Sequence, residues 1–169
     1  RRHRIEVTVE RPGLKVQHRS SYQAKSYEER VIDRVFASLI HGWQENPLDA
    51  TVEIAARSRV TDDDGEPGAH RLRVQIRIPL ERMTLLPGPG GRQGMFSVFL
   101  VGRDIDGGIT DLRSRTLPLQ VPEAGLAEAL AGDYVYEVEM TLDREPRDLG
   151  AAVRDELGGS VSYLRRTVG

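Results

Sequence analysis

The segment His70–Leu80, HRLRVQIRIPL, constrains the fold of this chain more than any other. Leu72, Val74, Ile76, Ile78 and Leu80 fall on every second residue, and Arg71, Arg73, Gln75 and Arg77 fill the gaps. Side chains alternate across a β-strand, so the segment has one apolar face and one wet, cationic face. A strand of this kind belongs to an antiparallel sheet with its apolar side on a core. The rest of the chain reads as strands that pair with it or pack under it.

Ile5, Val7 and Val9 alternate with polar residues, Arg11-Pro12-Gly13 breaks the run, and Leu14, Val16 and His18 resume it. This predicts a hairpin over residues 1–22. A helix follows over about 26–42. Ser26 and Glu29 stand at capping-box spacing, Val31, Ile32, Val35, Phe36, Leu39, Ile40 and Trp43 form one apolar stripe, and Gly42 and Asn46-Pro47 end it. Residues 23–169 are therefore expected to form a helix plus sandwich domain.

Val52, Ile54 and Ala56 start a strand that runs to Val60, and Asp62–Gly68 turns the chain into the central segment. Met83, Leu85 and Leu86 extend an edge up to the loop Pro87–Gly91. Met95–Val101, MFSVFLV, is apolar on both faces, as a strand covered on both sides would be. Leu117, Leu119 and Val121 form a Pro-bounded edge strand. After a short helix or turn at Leu126–Leu130, Tyr134, Tyr136, Val138, Met140 and Leu142 alternate strictly. A last hairpin starts at Leu149, Ala151 and Val153, turns near Gly158-Gly159, and returns through Val161, Tyr163 and Val168. No helices separate these strands, which argues against a parallel βαβ sheet. The expected fold is all-β: an immunoglobulin-like antiparallel sandwich with one amphipathic helix.

At 169 residues the chain can bury a core of its own. Its 24 basic and 26 acidic residues leave a net charge of -2, which does not favour a nucleic-acid partner. It has no cysteine, so disulfides and thiolate chemistry are excluded. No apolar run is long enough to span a membrane. The Arg1-Arg2-His3-Arg4 start reads as a piece of a longer protein.

Sites of chemistry are sparse. Asp62-Asp63-Asp64-Gly65-Glu66 and Asp104-Ile105-Asp106-Gly107 invite a calcium reading, but the EF-hand pattern fails and Asp-Gly is a hairpin signal. The glycine-rich loop 88–94 precedes a strand, whereas phosphate loops precede helices. His3, His18, His41 and His70 have no metal-ligand spacing. No Gly-x-Ser-x-Gly elbow occurs, and no carboxylate pair stands out. Accordingly no catalytic, cofactor-binding or metal residue is assigned, and none of these groups is expected. Arg71, Arg73 and Arg77 could hold a polyanion, but the acidic stripe Glu137 and Glu139 offers them cross-strand partners. Tyr22, Tyr27 and Tyr163 are the aromatics left free by the pattern. They sustain a carbohydrate-binding module as the alternative to a non-catalytic protein-interaction module.

Two stretches carry a resemblance. RIEVTVERPGLKVQHRSSY (4–22) resembles the closing strands of the von Willebrand factor A-related domain of bacterial exported proteins. LGAAVRDELGGSVSYLRRTV (149–168) resembles the last hairpin of the region that follows that domain, and the helix running into Asn46-Pro47-Leu48 fits the connecting segment. The resemblance implies that residues 1–22 are the tail of an A-like domain, followed by a β-sandwich module. It also implies export to the periplasm or outside, and an interaction role with a protein partner or an adjacent domain. The family's Asp-x-Ser-x-Ser metal motif is absent from these residues, so none of them inherits a metal.

Overall fold

A computed structural model describes residues 2–4, 21–23, 25–61 and 67–168. The chain divides into two compact units, Arg1–Arg30 and Val31–Gly169. In the first unit, β1 (Arg2–Arg4) pairs antiparallel with β2 (Ser21–Gln23), with Arg2 opposite Gln23. The strands expected between Ile5 and His18, like the acidic turn Asp62–Glu66, lie outside the described residues.

Helix α1 (Tyr27–His41) starts and stops on the expected signals. Ser26 Oγ accepts from the Glu29 N–H at 3.1 Å, and Glu29 Oε2 accepts in return from the Ser26 N–H at 2.5 Å. Such a reciprocal cap satisfies two of the orphan donors at a helix start. Gly42 closes the helix at φ 72°, and its N–H donates to the Ser38 carbonyl. This left-handed turn suits glycine.

Eight strands then build a sandwich. They are β3 (Thr51–Thr61), β4 (Pro67–Pro79), β5 (Leu86–Gly88), β6 (Gly91–Asp104), β7 (Arg113–Pro122), β8 (Asp133–Leu142), β9 (Pro146–Asp155) and β10 (Val161–Thr167), with the short α2 (Leu126–Leu130) between β7 and β8. The smaller sheet has the order β3-β4-β8. The larger has the order β10-β9-β6-β5, with β7 also paired to β6. Every pairing is antiparallel. The fold is an all-β antiparallel sandwich with one long helix, as the strand pattern implies, and the central segment is the middle strand of the smaller sheet.

Alternation decides the core. Leu72, Val74, Ile76 and Ile78 of β4 meet Phe96, Val98 and Leu100 of β6 and Leu149, Ala151 and Val153 of β9 between the sheets. Burying each large aliphatic side chain stabilises the fold by about 1.5–3 kcal/mol. The intervening β6 residues Phe99 and Val101 face the other way. They join Ala152 and Tyr163 under Val31, Val35 and Leu39 of α1. The larger sheet is thus covered on both faces, which explains the doubly apolar MFSVFLV.

Gly150 of β9 lets the helix come down. A Cβ there would lie 3.0 Å from Leu39 Cβ and 3.4 Å from the Val35 carbonyl oxygen.

Two details differ from expectation. Met83–Leu86 is not one continuous edge: Leu80–Arg82 form a single 3-10 turn, and extended pairing resumes only at Leu86. Trp43 and Ile40 are not in the core, being 41% and 46% exposed. Val31, Val35 and Leu39 follow a four-residue rhythm, while Ile40 lies a further 100° round the helix and Trp43 lies beyond its last turn.

Candidate functional site

The charged face of the smaller sheet accounts for the arginine stripe. Strand register sets Arg73 opposite Glu139 and Gln75 opposite Glu137. Arg73 Nη2 lies 3.6 Å from Glu139 Oε1, Gln75 Nε2 donates to Glu137 Oε1, and Arg77 Nη2 donates to Gln75 Oε1 at 3.1 Å. Of the three cations expected to pair across the sheet, Arg73 meets a carboxylate and Arg77 reaches the neutral Gln75, while Arg71 stands opposite Thr141 with no ion pair among the described residues.

The buried carboxylates hold the scaffold. Asp148 on β9 is 1% exposed. Register places it between Arg103 of β6 and Thr167 of β10. It accepts from Arg103 Nη2, from Arg165 Nη2 at 3.0 Å and from Thr167 Oγ1 at 3.2 Å, and Arg147 Nε lies 3.6 Å away. Burial alone would push its carboxyl up, but the hydrogen bonds of Arg103 and Arg165, the Arg165 charge and Thr167 hold it below the ordinary aspartate value.

Asp155, also 1% exposed, closes the β9–β10 hairpin. It accepts from the N–H groups of Leu157 and Gly158 at 3.0 Å and from that of Thr84 at 2.8 Å. Ser97 Oγ donates to Glu156 Oε1 and lies 2.7 Å from Thr116 Oγ1. That serine contacts a carboxylate and a second hydroxyl, not an imidazole, so these contacts do not assemble an acyl-transfer triad.

The other sequence features resolve as turns or isolated groups. Asp104 accepts from the Gly108 N–H at 2.7 Å across a turn in which Gly107 takes φ 91°. Among the described residues no cluster of three or more His, Asp or Glu could hold a metal. The loop expected over 88–94 is a two-residue turn, Pro89-Gly90, between β5 and β6, with Gly88 paired to Gly91. His70 is buried within β4, between Arg59 of β3 and Leu142 of β8. Burial, then the Arg59 and Arg57 charges, lower its pKa, with Glu145 opposing.

Of the aromatics left free by the sequence pattern, Tyr27 is 42% exposed but Tyr163 only 2%. Tyr163 points into the helix-covered face and packs against Trp43 at a tilt of 42°, with centroids 5.2 Å apart. The side chain of Tyr22 lies outside the described residues.

Among the described residues, one sheet edge combines unpaired backbone with half-buried aromatic side chains. Strand β8 ends the smaller sheet and, among the described residues, pairs with β4 alone. Its inward side chains Tyr134, Tyr136 and Val138 pack on the core yet remain half-buried. Tyr134 meets Phe96 edge-on, with centroids 5.0 Å apart. The outward residues Asp133, Val135, Glu137 and Glu139 are exposed. Arg113 of β7 reaches across from the other sheet, and its Nη1 donates to the Glu139 carbonyl at 2.6 Å. That carbonyl therefore points away from β4. Backbone directions repeat every second residue, so Asp133, Val135 and Glu137 also turn their N–H and C=O groups to the open side. The result is a strip from Asp133 to Val138 with free backbone groups, an acidic outer rim and an aromatic inner rim. The sequence gives the strand but not its position at the edge, because sheet order is a long-range property.

No protein-family model matches the chain, and no curated protein matches it. No described helix is long and apolar enough to cross a membrane.

Proposed function

We propose that this chain is a non-catalytic β-sandwich module that binds a protein partner by strand addition along the open edge of β8. The observation that carries the reading is the strip Asp133–Val138, where backbone groups free of the β4 ladder coincide with half-buried Tyr134, Tyr136 and Val138. An added strand would satisfy the first and bury the second. The use of Asp148 and Asp155 as internal clamps supports a scaffold role for the interior. The wider context, a larger exported bacterial protein, rests on the resemblance of residues 4–22 and 149–168 to the von Willebrand factor A-related region.

A photo-crosslinker placed at Val135 in the producing cell should capture a discrete protein partner or a second segment of the same polypeptide. The same group at Ser58, exposed on β3, serves as the control. Identical products from both positions, or measurable turnover in a broad hydrolase screen, would overturn the reading.

A carbohydrate-binding role is kept as a second reading on one observation, the exposed Trp43 ring backed by Tyr163. Glycan-array binding that Trp43→Ala abolishes would favour it.

A further inference from the structure

We infer that the strand received by β8 is cationic and amphipathic, with Lys or Arg facing Asp133 and Glu137 and apolar residues facing Tyr134 and Tyr136; this rests on the strand-addition reading. Charge is the first reason. Along the outer rim, Glu139 has its cation in Arg73. Glu137 hydrogen-bonds only the neutral Gln75, and Asp133 lies opposite Pro79. Neither has an ion-pair partner among the described residues. Two carboxylates four residues apart therefore line the open edge uncompensated. A neighbouring strand places its side chains about 4.5–5.5 Å from them, within reach of a Lys or Arg head.

The occupied flank of β8 supplies the template. There β4 sets Ile76 and Ile78 inward beside Tyr136 and Tyr134, and Arg73, Gln75 and Arg77 outward beside Glu139, Glu137 and Val135. Since β8 shows the same two faces to both flanks, a strand patterned like β4 is complementary to the free one.

A second copy of β8 is the wrong occupant. Antiparallel self-pairing centred on Val135 sets Asp133 opposite Glu137 twice, and pairing centred on Glu137 sets that side chain against itself. Like charges directly opposite one another destabilise a sheet. The acidic rim selects against self-pairing and for a basic partner. The Arg113 cap on Glu139 closes one end of the strip, so the bound segment is short.

Three fluorescent peptides test this by anisotropy against the intact protein: HRLRVQIRIPL, the same peptide with its arginines replaced by glutamate, and a scrambled peptide of unchanged composition. The arginine peptide should bind. The double variant Asp133→Lys with Glu137→Lys, both exposed surface changes, should weaken it by roughly tenfold and confer binding on the glutamate peptide. Val135→Pro, which removes an edge donor, should abolish both. Equal binding of the arginine and glutamate peptides, lost in Val135→Pro, would overturn the cationic partner and leave strand addition standing. Binding of the scrambled peptide as well as the ordered one, binding that survives Val135→Pro, or no binding by any peptide would overturn both.

Discussion

The guanidinium of Arg113 donates to the main-chain carbonyl of Glu139 at 2.6 Å, joining the first residue of an edge strand in one sheet to the edge strand of the other. The two edges are thereby tied at one point, and the strip Asp133–Val138 of β8 lies to one side of it.

Arg113→Ala removes that tie. A hydrogen bond to a charged group contributes about 1.5–3 kcal/mol when sheltered, and less when exposed as here, so a loss of about 1 kcal/mol is expected. This should lower the melting temperature by about 2–4 °C, read by calorimetry. The bound strand should also lengthen, increasing protection from hydrogen exchange at Thr141 in the peptide complex.

Asp148→Ala should be far more damaging. It leaves Arg103 and Arg165 without their shared carboxylate, and Arg103 Nε is already buried with no hydrogen-bond partner among the described residues. Removing one side of a buried ion pair costs about 3–5 kcal/mol. Urea unfolding should show that loss, with Asp148→Asn retaining part of the stability by keeping the shape and one acceptor.

Acid should weaken the fold in two separate windows. His70 has a folded pKa below the ordinary 6.5, so the unfolded chain binds its proton more readily. Stability then falls as pH drops below about 6.5, until the folded pKa is passed. Asp148 has a folded pKa below the ordinary 3.8, so its contribution is present above that value and fades only below it. Melting temperatures measured from pH 7 to 4 should decline in the native protein and flatten in His70→Gln. A decline unchanged by that substitution would assign the window to other groups.

Gly150→Ala should raise α1 off the larger sheet, since the new methyl meets Leu39 at 3.0 Å. Overpacking of this kind costs about 1–3 kcal/mol. Leu39→Ala in the same chain should recover part of the space, and a double-mutant cycle would measure the coupling.

The sequence was most informative where local chemistry decides. Alternation placed β4 and β8, a doubly apolar run placed β6, and Ser26, Glu29 and Gly42 marked both ends of α1. The meeting of the arginine stripe with the acidic stripe was also foreseeable, because both lie on the wet faces of alternating strands, but alternation permits shifts of two residues and so did not single out Arg73 with Glu139. Asp148 was not. Its partners Arg103 and Arg165 come from β6 and β10, and no spacing along the chain announces that they meet. Trp43 and Tyr163 were exchanged between core and surface, because facing past a helix end or within a hairpin depends on what covers the sheet. The edge status of β8 is likewise a matter of topology.

Strand β6 gives Phe96, Val98 and Leu100 to one hydrophobic compartment and Phe99 and Val101 to the other. Neither compartment can melt while the other keeps its wall, because the wall is the same piece of backbone. Fluctuations that detach the helix or splay the sheets are therefore linked, and the chain from Val31 onward should unfold as one cooperative unit with the β6 amides opening last.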